Sequence, residues 1–157
     1  MIDVSSVRLI IAAATKVIGA SSPAGDDLVI GTGAQESHYK YTQQLGGGPA
    51  LGYWQMEPDT HDDCWENYLK YSASLSDKVK SLLNGAPISA SALVTNTPYA
   101  AAMCRVRYLR VHEPLPVHGD LDAYAAYYKL HYNTPKGAAT IQEFLDNWSR
   151  YIAPVIS

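Results

Sequence analysis

Apolar residues recur along most of this chain with the period of an α-helix. Between residues 7 and 18 they fall three and four positions apart, which predicts an amphipathic helix capped by the Ser5–Ser6 pair. A turn is predicted over 21–25, where serine, proline and glycine cluster. The acidic pair 26–27 favours a helix N-terminus, so we expect a second helix from there to about Glu36.

Capping residues or prolines precede further apolar stripes in the rest of the chain. They predict helices that begin near Pro58, Ser76, Thr97, Asp120 and Thr140. Residues 38–53 lack this period and contain the run GGGP, which predicts a loop or a short hairpin lobe. The pattern therefore indicates one mainly α-helical domain over 1–157 with a single glycine-rich excursion.

Composition narrows the functional class. Of 157 residues, 47% are hydrophobic and 17% are charged, which argues against a disordered chain or a coiled coil. The net charge of −3 argues against a nucleic-acid partner, because neutralising phosphates needs a basic face. No apolar run approaches the about 18 residues that span a bilayer, so we expect no membrane partner. We also expect no signal peptide, since a basic segment does not precede the first apolar run.

Tyrosine and cysteine are the informative side chains. With 12 tyrosines and one phenylalanine, we expect several rings to be half exposed with bonded hydroxyls, as in a groove for a polar ligand or a wet protein interface. Cys104 lies on an apolar stripe and is predicted to be a buried thiol, while a disulfide with Cys64 stays open. No spacing of histidine and cysteine favours a metal site, so no metal or cofactor is expected.

Glu36 is the leading candidate for chemistry. Val29, Thr32 and Gly33 precede it by seven, four and three positions and share its helical face. Burial and the negative end of the helix dipole would both raise its pKa, giving a general acid that stays protonated near neutral pH. The alternative is a solvated glutamate at a frayed helix end.

Two motifs around Glu36 favour the general acid over the solvated glutamate. Glu36-Ser37 is followed 19 residues after the glutamate by Gln55, within the segment 52–60, GYWQMEPDT. A Glu-Ser pair that ends a helix, followed by Gly-x-x-Gln and then x-x-Pro-x-Thr, resembles the soluble lytic transglycosylases of the goose-type lysozyme-like superfamily. The family's third motif, Ala-Tyr-Asn, is met only in part, by AAYY at 125–128 and by HYN at 131–133. The resemblance is specific over 33–60 alone.

The resemblance implies a lysozyme-like fold and a peptidoglycan glycan strand as the partner. The bond cut would be the β-1,4 link between N-acetylmuramic acid and N-acetylglucosamine. Glu36 would protonate the leaving oxygen and then accept the proton of the substrate's own 6-hydroxyl, so neither a cofactor nor a second carboxylate would be needed.

The same resemblance assigns substrate-binding residues. Ser37 and Gln55 would hydrogen-bond the sugar, and either Tyr53 or Trp54 would stack on it while the other packs in the core. Tyr127 is predicted to line the groove near Glu36, about a quarter turn from the inward stripe that carries Tyr124 and Tyr128. Tyr39 and Tyr41 are candidates for the far wall.

Two alternatives stay open. A hydrolytic muramidase would need a second carboxylate, and the nearest candidates in sequence are Glu57, Asp59, Asp62 and Asp63. A virion structural module could keep the fold with little activity. The basic residues Arg105, Arg107 and Arg110 are interpreted as a solvated face, with contact to a partner or to the anionic cell wall as the alternative.

Localisation is inferred more loosely. The absence of a recognised leader or wall-binding repeat, and a segment at 132–137 similar to phage virion-associated lysozyme-like proteins, favour a phage protein that acts at the host cell wall. Tail or other virion proteins would then be partners. An endolysin or a bacterial enzyme remains an alternative.

Overall fold

Helices dominate the computed structural model, which describes residues 1–156. This part of the chain is 62% helical and contains no strand, so the prediction of a mainly α fold is confirmed. None of its helices is long and apolar enough to cross a membrane. The α-helices are α1 (Val4–Val17), α2 (Pro23–Ser37), α3 (Pro58–Asn67), α4 (Ala73–Ser81), α5 (Ala92–Thr95), α6 (Thr97–Leu109), α7 (Leu121–Tyr128), α8 (Ile141–Asn147) and α9 (Ala153–Ile156). A 3₁₀ turn at Leu69–Tyr71 follows α3, and π-helical turns at Lys129–Asn133 and Trp148–Ile152 extend α7 and α8.

Helix α2 lies at the centre of the fold. It packs against α1, α6, α7 and α8, and its second half is buried nearly all the way round. Two glycines make this packing possible. A Cβ at Gly31 would collide with the Phe144 and Trp148 rings, and a Cβ at Gly33 would overlap the Tyr39 ring. The helix that carries Glu36 is therefore fixed by neighbours on every side.

The excursion after α2 is a loop tied down at its far end. Its only pairing within residues 1–156 is two isolated bridges, Gln43 with Leu51 and Leu51 with Met56. Trp54 anchors the loop by donating its indole N–H to the Val29 carbonyl oxygen, 2.7 Å away. The predicted loop is confirmed, and the hairpin lobe is reduced to these two bridges.

Several helix starts differ from the sequence prediction. Residues 21–25 are not a separate turn: the Ser22 hydroxyl accepts from the Gly25 N–H at 3.0 Å, so α2 begins at Pro23. Likewise Asp3, rather than the serine pair, caps α1, and Asn96 rather than Thr97 caps α6. In each case the capping oxygen reaches the N–H three residues ahead, which satisfies a helix-terminal donor.

The predicted caps at Asp120 and Thr140 are confirmed. Each side-chain oxygen accepts an N–H bond at 3.1 Å from the residue three positions later. The start near Ser76 is wrong by one turn, since α4 begins at Ala73. Local capping chemistry therefore places most helices to within a turn.

The tyrosines are more deeply buried than composition suggested. Tyr39, Tyr108 and Tyr128 are fully buried, yet each hydroxyl has a partner: Ile30 O at 2.7 Å, Thr32 Oγ1 at 2.8 Å and Glu36 at 2.6 Å. The prediction of bonded hydroxyls is confirmed, and that of half-exposed rings is wrong for these residues.

Cys64 and Cys104 are both buried free thiols, as predicted for Cys104.

Candidate active site

A cavity of about 390 Å³ opens where α2 ends. Its walls come from the last turn of α2, the excursion loop, the start of α3, the last turn of α6 and the π-helical turn after α7. The polar side chains that line it include Glu36, Gln55, Glu57, Arg107 and Asn133. Distant parts of the chain thus bring two carboxyl groups, two amides and a guanidinium group to one concave surface.

Glu36 is positioned as a weak acid. Burial raises its pKa from the ordinary value of 4.5 to about 7, because the carboxylate form loses solvation. A hydrogen bond from Tyr128 and the positive charge of Arg107 oppose that rise without cancelling it. The predicted rise in pKa is confirmed, and the alternative of a solvated glutamate at a frayed helix end is wrong.

The partners of Glu36 decide which oxygen can carry its proton. The Tyr128 hydroxyl donates to Glu36 Oε1 at 2.6 Å, and burial raises the pKa of Tyr128, so this hydroxyl stays a donor. An oxygen that already accepts a hydrogen bond is a poor place for the acid proton, which leaves Oε2. The carboxyl group is therefore oriented with a defined acidic oxygen.

The backbone at the end of α2 is also held in place. His38 adopts a left-handed conformation that ends the helix, and the Tyr41 hydroxyl donates to the Glu36 carbonyl oxygen at 3.0 Å. That bond satisfies one of the carbonyls that a helix C-terminus leaves without a partner. Tyr41 thus supports the last turn, rather than forming a far wall, and Tyr39 is fully buried.

Gln55 lies on the cavity wall, as the sequence predicted. Its side-chain Nε2 donates to the Gly52 carbonyl oxygen at 2.9 Å, which also stabilises the loop. Its backbone has a φ of 48°, in the left-handed region that costs a residue with a Cβ. Thr134, which also lines the cavity, has a φ of 79° and a ψ of 150°, a region that is almost exclusive to glycine. Strained backbone therefore borders the cavity at two positions.

Three predicted substrate-binding residues lie in the core instead. Ser37 is 1% exposed, and its hydroxyl donates to the Gly33 carbonyl oxygen at 3.2 Å. Trp54 is also 1% exposed and packs edge-on against Tyr39. Tyr127 is 7% exposed and its hydroxyl donates to the Glu113 carbonyl oxygen, away from Glu36. The sugar contacts predicted for Ser37 and Tyr127 are wrong because both side chains are buried, and Trp54 is the member of the Tyr53–Trp54 pair that packs in the core.

Tyr53 is only partly buried but lies outside the cavity lining. Its ring packs against Tyr39 and Trp54, with centroids 5.8 and 6.4 Å away. The structure thus places Tyr53 beside the loop anchor rather than on the wall that Glu36 and Gln55 share.

Tyr128 and Tyr132 take the place predicted for Tyr127. Tyr128 contacts Glu36 directly, while Tyr132 lines the cavity and donates its hydroxyl to the Trp54 carbonyl oxygen at 2.6 Å. The wider π-helical turn begins just after Tyr128 and brings Asn133 to the cavity wall. The sequence pattern could have indicated Tyr128, because it places this residue on the inward-facing stripe of α7.

The four carboxylates considered as a second catalytic group lie in different surroundings. Glu57 lines the same cavity as Glu36, whereas Asp59 and Asp63 line a second cavity beside it. Asp62 instead lies 2.9 Å from His61 Nδ1. Of the four candidates for a second catalytic carboxylate, Glu57 is therefore the one that shares the Glu36 cavity.

The arginines do not form a solvated basic face. Arg105 is 6% exposed and donates Nε–H to the Ala20 carbonyl oxygen at 3.1 Å. Arg110 forms an ion pair with Asp63 at 2.7 Å. Arg107 donates to the Tyr132 carbonyl oxygen at 2.9 Å and lines both cavities. The earlier interpretation fails because α6 is buried over most of its length.

Neither a known protein family, nor a curated protein, nor a solved structure matches the chain. Within residues 1–156, no cluster of three or more histidine, cysteine or acidic side chains could hold a metal ion. The cavity and the motifs that line it are therefore the features of the molecule that bear on its function.

Proposed function

We propose that this protein cleaves peptidoglycan as a lytic transglycosylase with a lysozyme-like fold. The observation that carries the proposal is Glu36, a carboxyl group with a pKa of about 7 held by Tyr128 at the wall of a cavity. A general acid is most effective when its pKa lies near the working pH. The Glu-Ser and Gly-x-x-Gln motifs add support, since their glutamate and glutamine line the same cavity.

In the proposed reaction, Glu36 Oε2 gives its proton to the glycosidic oxygen as the bond to C1 of the muramic acid breaks. Tyr128 keeps its bond to Oε1 and stabilises the carboxylate that forms. The substrate's 6-hydroxyl then attacks C1, and Glu36 takes up the proton of that hydroxyl. The product carries a 1,6-anhydro ring, and the enzyme returns to its starting protonation state.

Gln55 and Asn133 would bind the sugar beside the scissile bond. Both carry amide groups that donate and accept hydrogen bonds, which suits N-acetyl and hydroxyl groups. The positive charge of Arg107 would stabilise the carboxylate that Glu36 becomes after it has given up its proton.

Glu57 supports a second candidate, a hydrolytic muramidase. Because Glu57 lines the same cavity, it could direct a water molecule to C1 in place of the 6-hydroxyl. The two chemistries differ in product: hydrolysis leaves a reducing end, and the transglycosylase product is lighter by one water. We further propose that the protein acts at the bacterial cell wall as a phage component.

The test uses purified peptidoglycan and three matched carboxyl-to-amide variants. Glu36→Gln should lower the rate by about 10²- to 10⁴-fold, the size of a lost general acid. Glu57→Gln should stay near the wild-type rate, and Glu66→Gln, on the exposed face of α3, serves as the control.

The products decide between the chemistries. After digestion and borohydride reduction, mass spectrometry should find muropeptides with anhydro ends that resist reduction. Reducible ends throughout, together with loss of activity in Glu57→Gln, would replace the transglycosylase with the muramidase. A Glu36→Gln variant that keeps more than a tenth of the rate would remove Glu36 from the mechanism.

A further inference from the structure

A second cavity, of about 470 Å³, adjoins the one that holds Glu36. Thr60 and Arg107 line both cavities, so the two form one continuous groove across α3 and α6. The second cavity adds Asp63, Arg110 and His131 to its walls. Neither the general acid nor Gln55 reaches it, so the proposed bond cleavage leaves this part of the groove without a role.

Two guanidinium groups are held in fixed orientations along this cavity. Arg107 lies over the Tyr132 ring at 4.9 Å, and Arg110 lies over the Tyr68 ring at 5.8 Å. Stacking fixes the plane of each group and leaves its edge to donate, the arrangement that suits a carboxylate.

These groups also have donors to spare. Arg107 donates one Nη2–H to the Tyr132 carbonyl oxygen, and within residues 1–156 its Nη1 donates to no protein acceptor. Arg110 donates Nη1–H to Asp63. Since a guanidinium carries five N–H donors, both arginines keep capacity for an anionic ligand.

We propose that the second cavity binds carboxylates of the peptide stem while Glu36 acts on the glycan. This inference rests on the proposed function, because it names a second part of the same substrate. In peptidoglycan, peptides branch from the muramic acid, so a groove that continues past the scissile bond meets them. The stem carries carboxylates, which match the two stacked guanidinium groups.

Asp63 regulates how strongly this site attracts an anion. Its carboxylate lies 2.7 Å from Arg110 and is about half exposed, so it competes with a bound carboxylate for the same donor. Asp59 adds a second negative charge, but it lies in the first turn of α3, where the helix N-terminus offsets it. Removing the charge of Asp63 should therefore strengthen stem binding, and removing Arg110 should weaken it.

The experiment compares two forms of one soluble, uncrosslinked peptidoglycan. In the second form, carbodiimide and ammonium convert the stem carboxylates to amides, so that size is kept and negative charge is lost. Wild-type protein should show a kcat/KM about tenfold higher on the native form, the size expected for a charge-assisted hydrogen bond in a partly exposed site. The difference should lie mainly in KM.

Three variants locate the effect. Arg110→Gln should bring the ratio of the two kcat/KM values close to one, and Asp63→Asn should raise it above the wild-type ratio. Arg8→Gln, an equal loss of charge at an exposed position of α1, should leave the ratio unchanged.

Equal kcat/KM on both substrates by wild-type protein, or an Arg110→Gln variant that keeps the wild-type ratio, would overturn the inference while leaving the proposed function intact. If Arg110→Gln does not fold, Asp63→Asn decides, since a ratio that does not rise overturns the inference equally. Cleavage of neither substrate by the wild type would overturn the proposed function and this assignment with it.

Discussion

Replacing Glu36 by glutamine should make the folded protein more stable at alkaline pH. The folded state holds this carboxyl group at a pKa of about 7, against an ordinary value of 4.5. Each unit of difference corresponds to 1.36 kcal/mol, so the ionised group costs the folded state about 3 kcal/mol. Glutamine keeps an oxygen that can accept from Tyr128 and never ionises, so the variant escapes this cost.

The sign follows from proton binding. Below pH 4.5 the group is protonated in both states and contributes nothing to the difference. Between pH 4.5 and 7 the folded state binds the proton more tightly, so stability from this group falls as pH rises. Above pH 7 both states are ionised, and the full cost is present.

Urea unfolding of wild type and Glu36→Gln at pH 4.5 and pH 8 measures this difference. Comparing the variant with the wild type at each pH cancels the other titrating groups, among them Asp26, whose pKa burial also raises. We expect nearly equal free energies of unfolding at pH 4.5 and an advantage of about 3 kcal/mol for the variant at pH 8. An advantage that does not change with pH, or one below about 1 kcal/mol at pH 8, would refute the claim that Glu36 is desolvated.

Three further predictions address the surroundings of Glu36. Tyr128→Phe removes a hydrogen bond that favours the ionised carboxylate, so the alkaline limb of the rate–pH profile should move upward; a limb that stays or moves down would contradict this role. Gln55→Ala should lower kcat/KM by about 2- to 13-fold, the worth of a hydrogen bond of 0.5–1.5 kcal/mol; unchanged kinetics with a lower melting temperature would limit Gln55 to its bond with Gly52. Thr134→Gly should raise the free energy of unfolding by about 1 kcal/mol by relieving a strained backbone, and a loss of stability in urea titrations would show that the threonine side chain outweighs the strain.

The features that sequence predicted well are those that local chemistry decides. The helix starts at Asp120 and Thr140 need only a side-chain oxygen and the N–H three residues on. The raised pKa of Glu36 needed one further inference, that its apolar face is buried. The residues that share its helical face, Val29, Thr32 and Gly33, supplied that inference.

Features that depend on distant contacts were missed. Trp54 lies next to Gln55 in sequence, but the Val29 carbonyl oxygen, 25 positions earlier, accepts its indole N–H and holds the ring in the core. Tyr127 was placed by extending an ideal helix, and the side chain that reaches Glu36 belongs to the next residue. The π-helical turn that follows cannot be foreseen from a period of 3.6 residues.

The central position of α2 has a consequence for motion. Amides in the second half of this helix are surrounded by packed neighbours, so they should exchange with solvent only when the whole domain opens. The carboxyl group at its end shares that protection, unlike an active-site residue on a mobile lid. Heating should then abolish cleavage and tertiary structure together, with no inactive folded species between them.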